Sequence, residues 1–183
     1  AAQIILLVAA MNYVTEVEMA FAKIVNEPDA LKDQLTHMVK DLEDLITITR
    51  DTTLPKAVRK RVMCMITLDA HARDIVQKLV FEGVHEKEHF AWMSQLKQRY
   101  IKPEDSVNKA HDSAIEILNA KFLYDFEYLG NGARLVVTPL TDRIYVTATQ
   151  ALHLHMGCAP AGPAGTGKTE STKDLASALA ICV

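Results

Sequence analysis

Residues 162 to 169 read Gly-Pro-Ala-Gly-Thr-Gly-Lys-Thr and fit the Walker A pattern G-x-x-x-x-G-K-[ST] at every fixed position. The chemistry needs these residue types in this order. Glycines let backbone N–H groups curl around phosphate without Cβ clashes, and a following helix turns its positive dipole end toward the same anion. Lys168 would neutralise the β- and γ-phosphates, and Thr169 would hold Mg²⁺ through its hydroxyl. The spacing predicts that helix from Lys168 to about Ala180, with Leu175 and Leu179 on one face and small residues beside them. By composition the four fixed letters would arise by chance in roughly one chain of this length in a hundred, so a phosphate loop is favoured over a bland glycine turn. The usual loop follows a strongly apolar strand, whereas Gly157-Cys-Ala-Pro-Ala161 is short, small and broken by proline.

What precedes the loop is different in kind. Six of the seven glycines and three of the six prolines fall between Gly130 and Gly167, so the composition changes near residue 125. Before it, apolar residues recur at helical spacing: Leu7, Met11, Val14, Phe21 and Val25; then Leu31, Leu35, Met38, Leu42 and Leu45; then Val58, Val62, Met65, Ala72, Val76 and Leu79. Three amphipathic helices follow, with Pro28 and Pro55 placed to open the second and third. The coiled-coil-like steps of Leu31 to Leu45 are too short to demand a partner chain, and packing within an antiparallel bundle accounts for them. A helical array is the reading for residues 3 to 80. Farther on, Phe122, Tyr124, Phe126 and Tyr128 alternate with other residues and predict a strand; Leu135 to Thr138 predicts a second short one, and Thr141 to Met156 a helix capped by Thr141 or Asp142.

Charge and cysteines narrow the class. With 20 Lys and Arg against 23 Asp and Glu the formal net charge is −3, which excludes a strongly basic nucleic-acid or membrane-surface protein. The 49% hydrophobic content is that of a core-forming protein. Cys64, Cys158 and Cys182 are scattered and form no C-x-x-C, signalling neither a disulfide framework nor a thiolate zinc site, and a reducing compartment is expected. The longest apolar run, Ile4 to Met11, is short of the roughly 20 residues that span a bilayer, so no membrane partner is expected. The chain opens inside one apolar stretch and stops where another begins at Ile181, as a piece of something larger would.

Three other features have plainer readings. His85-Glu-Lys-Glu-His89 matches H-E-x-x-H, the zinc-peptidase pattern, but no third ligand follows before Pro103, and an exposed charged turn accounts for it. Lys56, Arg59, Lys60 and Arg61 keep the amphipathic rhythm through Val58 and Val62, as a solvated helix face does. His153 and His155 are two residues apart and share no helical face.

Taken together, Phe126-Glu-Tyr-Leu-Gly-Asn131, Arg134-Leu-Val-Val-Thr-Pro-Leu-Thr-Asp-Arg143 and Gly162 to Thr169 with Glu170-Ser-Thr-Lys-Asp-Leu175 behind it resemble the dynein heavy chain. Thr15-Glu-Val-Glu18, Asp69-Ala-His-Ala-Arg73 and Phe90-Ala-Trp92 leading to Gln95-Leu96 are similar to its linker, so the resemblance covers essentially the whole chain. It implies a mainly α-helical linker region followed by the beginning of an α/β P-loop (AAA+) domain, an incomplete fragment: residues 1 to 121 the C-terminal part of the linker, 122 to 183 the opening of the first AAA+ module. It implies a motor that walks on microtubules, whose ATP cycle swings the linker. The nucleotide-binding residues it implies are Gly162, Pro163, Ala164, Gly165, Thr166, Gly167, Lys168, Thr169 and Glu170, with Val137, Pro139 and Leu140 in the stretch that lines the adenine pocket. The implied cofactors are ATP or ADP and Mg²⁺, the latter on Thr169. An apolar strand ending in proline would suit a base, offering backbone polar groups and a flat wall.

The implied partners are the microtubule, the rest of the heavy chain, and intermediate and light chains, with no nucleic acid. The wording of Thr138 to Tyr145 and His153 to Gly162 is closer to ciliary than to cytoplasmic dyneins, placing the protein in the cytoskeleton of a cilium or flagellum. Cys158 stands where the family often has glycine, and Ile144 where cysteine is common. No Walker B carboxylate pair, sensor or arginine finger follows the loop, so no catalytic set is complete here. Residues 1 to 183 alone are expected to have negligible ATPase activity. Two other classes compete: a helical scaffold whose nucleotide, if any, only stiffens it, and a metallopeptidase on His85, Glu86 and His89.

Overall fold

The computed structural model describes residues 2–106, 112–130 and 135–181. Asn131 and Arg134 of the family signature, and Cys182 and Val183 at the end, lie outside the described residues. The chain divides after Trp92 into two compact units.

The first unit is the expected helical array. Helices α1 (Ala2–Lys23), α2 (Ala30–Thr49) and α3 (Lys56–Phe81) are followed by a short α4 (Phe90–Met93). Their apolar stripes meet in a core of Val14, Val17, Ala20 and Phe21 from α1, Leu31 from α2 and Val76 and Leu79 from α3, closed by Val84 and the fully buried Trp92. The Trp92 ring packs edge-on against Tyr13 at 5.8 Å and tilted against Phe21 at 6.0 Å, while its indole N–H donates to Glu18 Oε1 at 3.3 Å. A buried tryptophan is better for such a partner, because an unmet indole N–H would give back about 1–3 kcal/mol of what the ring gains by burial. Burial also pushes the Tyr13 phenol far above its ordinary pKa.

Among the described residues α1 is the one helix long and apolar enough to cross a membrane by length and composition, and here its Val14, Val17 and Phe21 stripe is buried on protein.

The prolines stand at the breaks, each just ahead of its helix rather than inside the first turn. Pro55 occupies the cap position of α3 with an extended ψ of 139°. Between α2 and α3, Asp51 Oδ1 accepts from the Thr53 amide at 2.8 Å and its hydroxyl at 2.7 Å, an Asx-type turn that holds the Asp51 carboxyl below its usual pKa.

The second unit contains a sheet that the sequence reading missed. Strands β1 (Lys97–Ile101), β2 (Asp112–Ile117) and β3 (Ala120–Leu123) are antiparallel in the order β1-β2-β3. The turn between β2 and β3 is two residues long, with Leu118 at φ 50°. Across the sheet Glu116 Oε2 accepts from Arg99 at 2.5 Å and Glu116 Oε1 pairs with Lys121 at 3.1 Å. Helices α5 (Pro139–His153) and α6 (Lys168–Leu179) complete the unit.

Two expectations need correction. The predicted strand over Phe122 to Tyr128 ends at Leu123 because the chain turns to another task. Tyr124 N–H still donates to Ser113 O at 2.8 Å, but Asp125 and Glu127 donate to Leu179 O and Ala180 O at 3.1 and 3.2 Å, meeting carbonyls at the α6 terminus that have no acceptor role within the helix. Leu135 to Thr138 is likewise not a strand but the lead-in to α5, which begins at Pro139 and is capped by Thr138, three residues before the expected Thr141.

Half-buried Asp69 on α3 has its pKa raised from 3.8 to about 6 by desolvation, with the Asp41 charge adding to it. A carboxyl whose folded pKa lies above the unfolded value favours the fold only when protonated, a contribution present below about pH 4 and lost as pH rises through about 6. Asp69→Asn should therefore stabilise the chain at pH 7 by roughly 1 kcal/mol after solvent screening is allowed for. The gain should vanish near pH 4 in urea titrations run at both pH values.

Candidate functional site

The site is assembled from the bottom of α6. Gly165 and Gly167 take left-handed backbone angles of φ 78° and 77°, and a Cβ on either would meet nothing within 4 Å. Their identity is thus set by backbone conformation and not by crowding, since an L-residue there costs about 1–2 kcal/mol. Gly167 is the N-cap of α6, and the first helical bond runs from the Ser171 amide to Gly167 O at 2.9 Å. The amides of Lys168, Thr169 and Glu170 therefore have no acceptor inside the helix, and the helix dipole adds partial positive charge at the same place.

Lys168 reaches back across the loop. Its ammonium donates to Gly162 O at 2.9 Å, to Pro163 O, and to Thr166 Oγ1 at 3.3 Å, while the Thr166 hydroxyl donates to Pro163 O at 2.9 Å. These bonds close residues 162 to 168 into a ring with the cation over it. Residues 161 to 167 and Thr169 are exposed, so the loop is open to solvent. Glu170 pairs at 3.5 Å with Lys173, both exposed, which contributes little. The segment Gly157 to Ala161 ahead of the loop is not a strand, in keeping with its small, proline-broken sequence.

The second part is the start of α5. Thr138 and Thr141 form a reciprocal capping box: the Thr138 amide donates to Thr141 Oγ1 at 2.6 Å and the Thr141 amide to Thr138 Oγ1 at 3.4 Å. Pro139 sits at the first helical position, where its fixed φ suits the helix and its missing N–H leaves nothing unmet. Val137 is half-buried, whereas Pro139 and Leu140 are exposed, with Leu140 64% accessible.

One side chain joins the two parts. Asp174, on α6, accepts from the Tyr145 hydroxyl of α5 at 2.5 Å and from the Leu135 amide at 3.5 Å. Sequence reasoning assigned neither Asp174 nor Tyr145 a role. The hint was an acidic and a phenolic residue six positions past the starts of their helices.

The zinc-peptidase pattern is not built. His85 to Glu88 lie in a turn rather than on one helical face, and His89 Nδ1 accepts from the Ala91 amide at 3.2 Å. Among the described residues no three His, Cys, Asp or Glu side chains come together to hold a metal. Lys56, Arg59, Lys60 and Arg61 fall on the first turns of α3, where Arg59 donates to Asp51 O at 2.7 Å.

Residues 124–183 match the family model described as "Hydrolytic ATP binding site of dynein motor region". The chain is 47% identical over all 183 residues to dynein axonemal heavy chain 9 of Homo sapiens, and 48% over 178 residues, 97% of the chain, to the dynein alpha chain of the flagellar outer arm of Chlamydomonas reinhardtii. It is 44% identical over 183 residues to the ciliary dynein beta chain of Tripneustes gratilla. It spans about 4% of the length of each of these relatives.

Thr138→Ala removes the hydroxyl half of the capping box and should weaken the start of α5 by about 1 kcal/mol. Hydrogen exchange of the first-turn amides should then be roughly fivefold faster. Unchanged exchange would mean that the remaining half of the box suffices.

Proposed function

Because this chain belongs to the dynein heavy chain family, we propose that residues 162 to 170 bind the triphosphate of ATP within a microtubule-based motor ATPase of the ciliary axoneme. The observation that carries the reading is the closed loop ahead of α6. Left-handed glycines deliver the first-turn amides of a helix, and a lysine already lies across the loop they border. An arriving triphosphate would take the ammonium from the Gly162 and Pro163 carbonyls, exchanging neutral acceptors for charged oxygens.

The exposed Thr169 hydroxyl fits one ligand position of a Mg²⁺ ion, a hard cation that keeps several waters and is otherwise held by phosphate oxygens. Mg²⁺ would supply charge neutralisation between the β- and γ-phosphates. Val137, Pro139 and Leu140, at the capped start of α5, are the proposed wall for the adenine base, and Glu170 is the last of the phosphate-loop residues.

In this reading residues 1 to 121 belong to the C-terminal part of the linker and 122 to 183 to the opening of the first AAA+ module. The ATP cycle at this loop drives the linker's swing. Microtubules, intermediate chains and light chains are engaged through other parts of the heavy chain. Phosphoryl transfer also needs a group to orient water and a cation to meet the developing charge, and these too come from other parts. Residues 1 to 183 by themselves should bind without motor-like turnover, which a steady-state ATPase assay checks.

Lys168→Ala tests the loop. Loss of a charged hydrogen bond worth about 2–3 kcal/mol should weaken ATP binding at this site roughly a hundredfold. Equilibrium binding of a fluorescent ATP analogue to the wild-type and substituted heavy chains reads this directly, and equal affinities would remove the phosphate site.

A further inference from the structure

We propose that Asp174 is a positioning residue for nucleotide selection: it fixes the distance between the phosphate loop and the start of α5, and Tyr145 is its principal contact. The proposal rests on the reading just given, with phosphates at 162 to 170 and the base against Val137, Pro139 and Leu140.

The geometry is specific. Tyr145 is only 5% exposed, and its hydroxyl meets Asp174 Oδ2 at 2.5 Å, within the short range of charge-assisted O–H···O⁻ bonds. The other carboxylate oxygen accepts from the Leu135 amide at 3.5 Å, a longer contact to the segment that leads into α5. One side chain thus holds both the helix and its lead-in. Asp174 lies six residues past Lys168 and Tyr145 six past Pro139, so the tie sits about 9 Å along each helix from its first residue. A ligand that rests phosphates on one helix start and a base beside the other depends on that spacing, because it gains both sets of contacts in full only where the two are already held at its own span.

Other contacts hold the two helices elsewhere. Gln150 Nε2 donates to Ile117 O at 3.0 Å, anchoring α5 to the sheet. The carbonyl end of α6 is held by Asp125, Glu127 and Gln98, the last through Nε2 to Ala178 O at 3.4 Å. Cutting the Tyr145–Asp174 bond therefore loosens the nucleotide-facing ends while these anchors remain.

The test uses the full-length heavy chain carrying Asp174→Ala, Asp174→Asn or Tyr145→Phe. A fluorescent ATP analogue is displaced by ATP or by tripolyphosphate, and the fraction of binding that Lys168→Ala abolishes is followed. Tripolyphosphate carries the anion without a base. Asp174→Ala and Tyr145→Phe should weaken ATP about tenfold and leave tripolyphosphate within twofold, and Asp174→Asn, which keeps an acceptor for the phenol, should stay within threefold of wild type for both. Equal weakening of ATP and tripolyphosphate, or unchanged ATP affinity, would overturn the proposal. Tyr145→Phe removes a single oxygen and decides alone if the alanine variant does not fold. Tripolyphosphate binding that ignores Lys168→Ala would instead remove the phosphate site itself, and the positioning role with it.

Discussion

The ammonium of Lys168 and the two left-handed glycines at 165 and 167 hold residues 162 to 168 in a closed loop against the start of α6. Neither part suffices alone. Without the glycines each left-handed turn into the helix would cost about 1–2 kcal/mol, and the loop would be held less firmly against the first-turn amides. Without the lysine the same turn would carry only the partial charge of a helix end, worth at most about 2 kcal/mol toward an anion. Together they bring donors, a dipole and a full charge to one place, and every functional inference about this chain depends on that convergence.

The rest of the second unit serves to hold α6. Its last carbonyls take the amides of Asp125 and Glu127, so the segment leaving β3 is spent on the helix terminus instead of lengthening the sheet. Its middle is tied to α5 through Asp174 and Tyr145. The capping box of Thr138 and Thr141 then fixes where α5 begins. In the first unit the corresponding task of fixing helices falls to Trp92, which is fully buried, packed edge-on against Tyr13 and tilted against Phe21, and bonded to Glu18.

Much of this was legible in the residues. The three long helices follow from apolar spacing, and their breaks from Pro28 and Pro55, because both signals act within a single turn of chain. The glycine turn ahead of α6 and the start of that helix were legible for the same reason, since glycine conformations and helix caps are local. What was not legible is non-local. The alternation at Phe122 to Tyr128 satisfies a strand pattern, yet Leu179 and Ala180, more than fifty residues away, claim its amides. The β1-β2-β3 sheet hid behind a mixed pattern whose clearest signal, Ile115 and Ile117 before a two-residue turn, spans only a few positions. Thr138, read as the end of a strand, caps a helix because Pro139 can open one. Asp174 gained a role only when the fold brought Tyr145 and Leu135 to it.

The most direct measurement is a structure of the full-length heavy chain with Mg-ATP. The triphosphate should lie within hydrogen-bond distance of the amides between Gly165 and Thr169, and Lys168 Nζ should have left the Gly162 and Pro163 carbonyls for a β- or γ-phosphate oxygen. A triphosphate bound away from this loop, or a lysine still on those carbonyls with nucleotide present, would contradict the assignment.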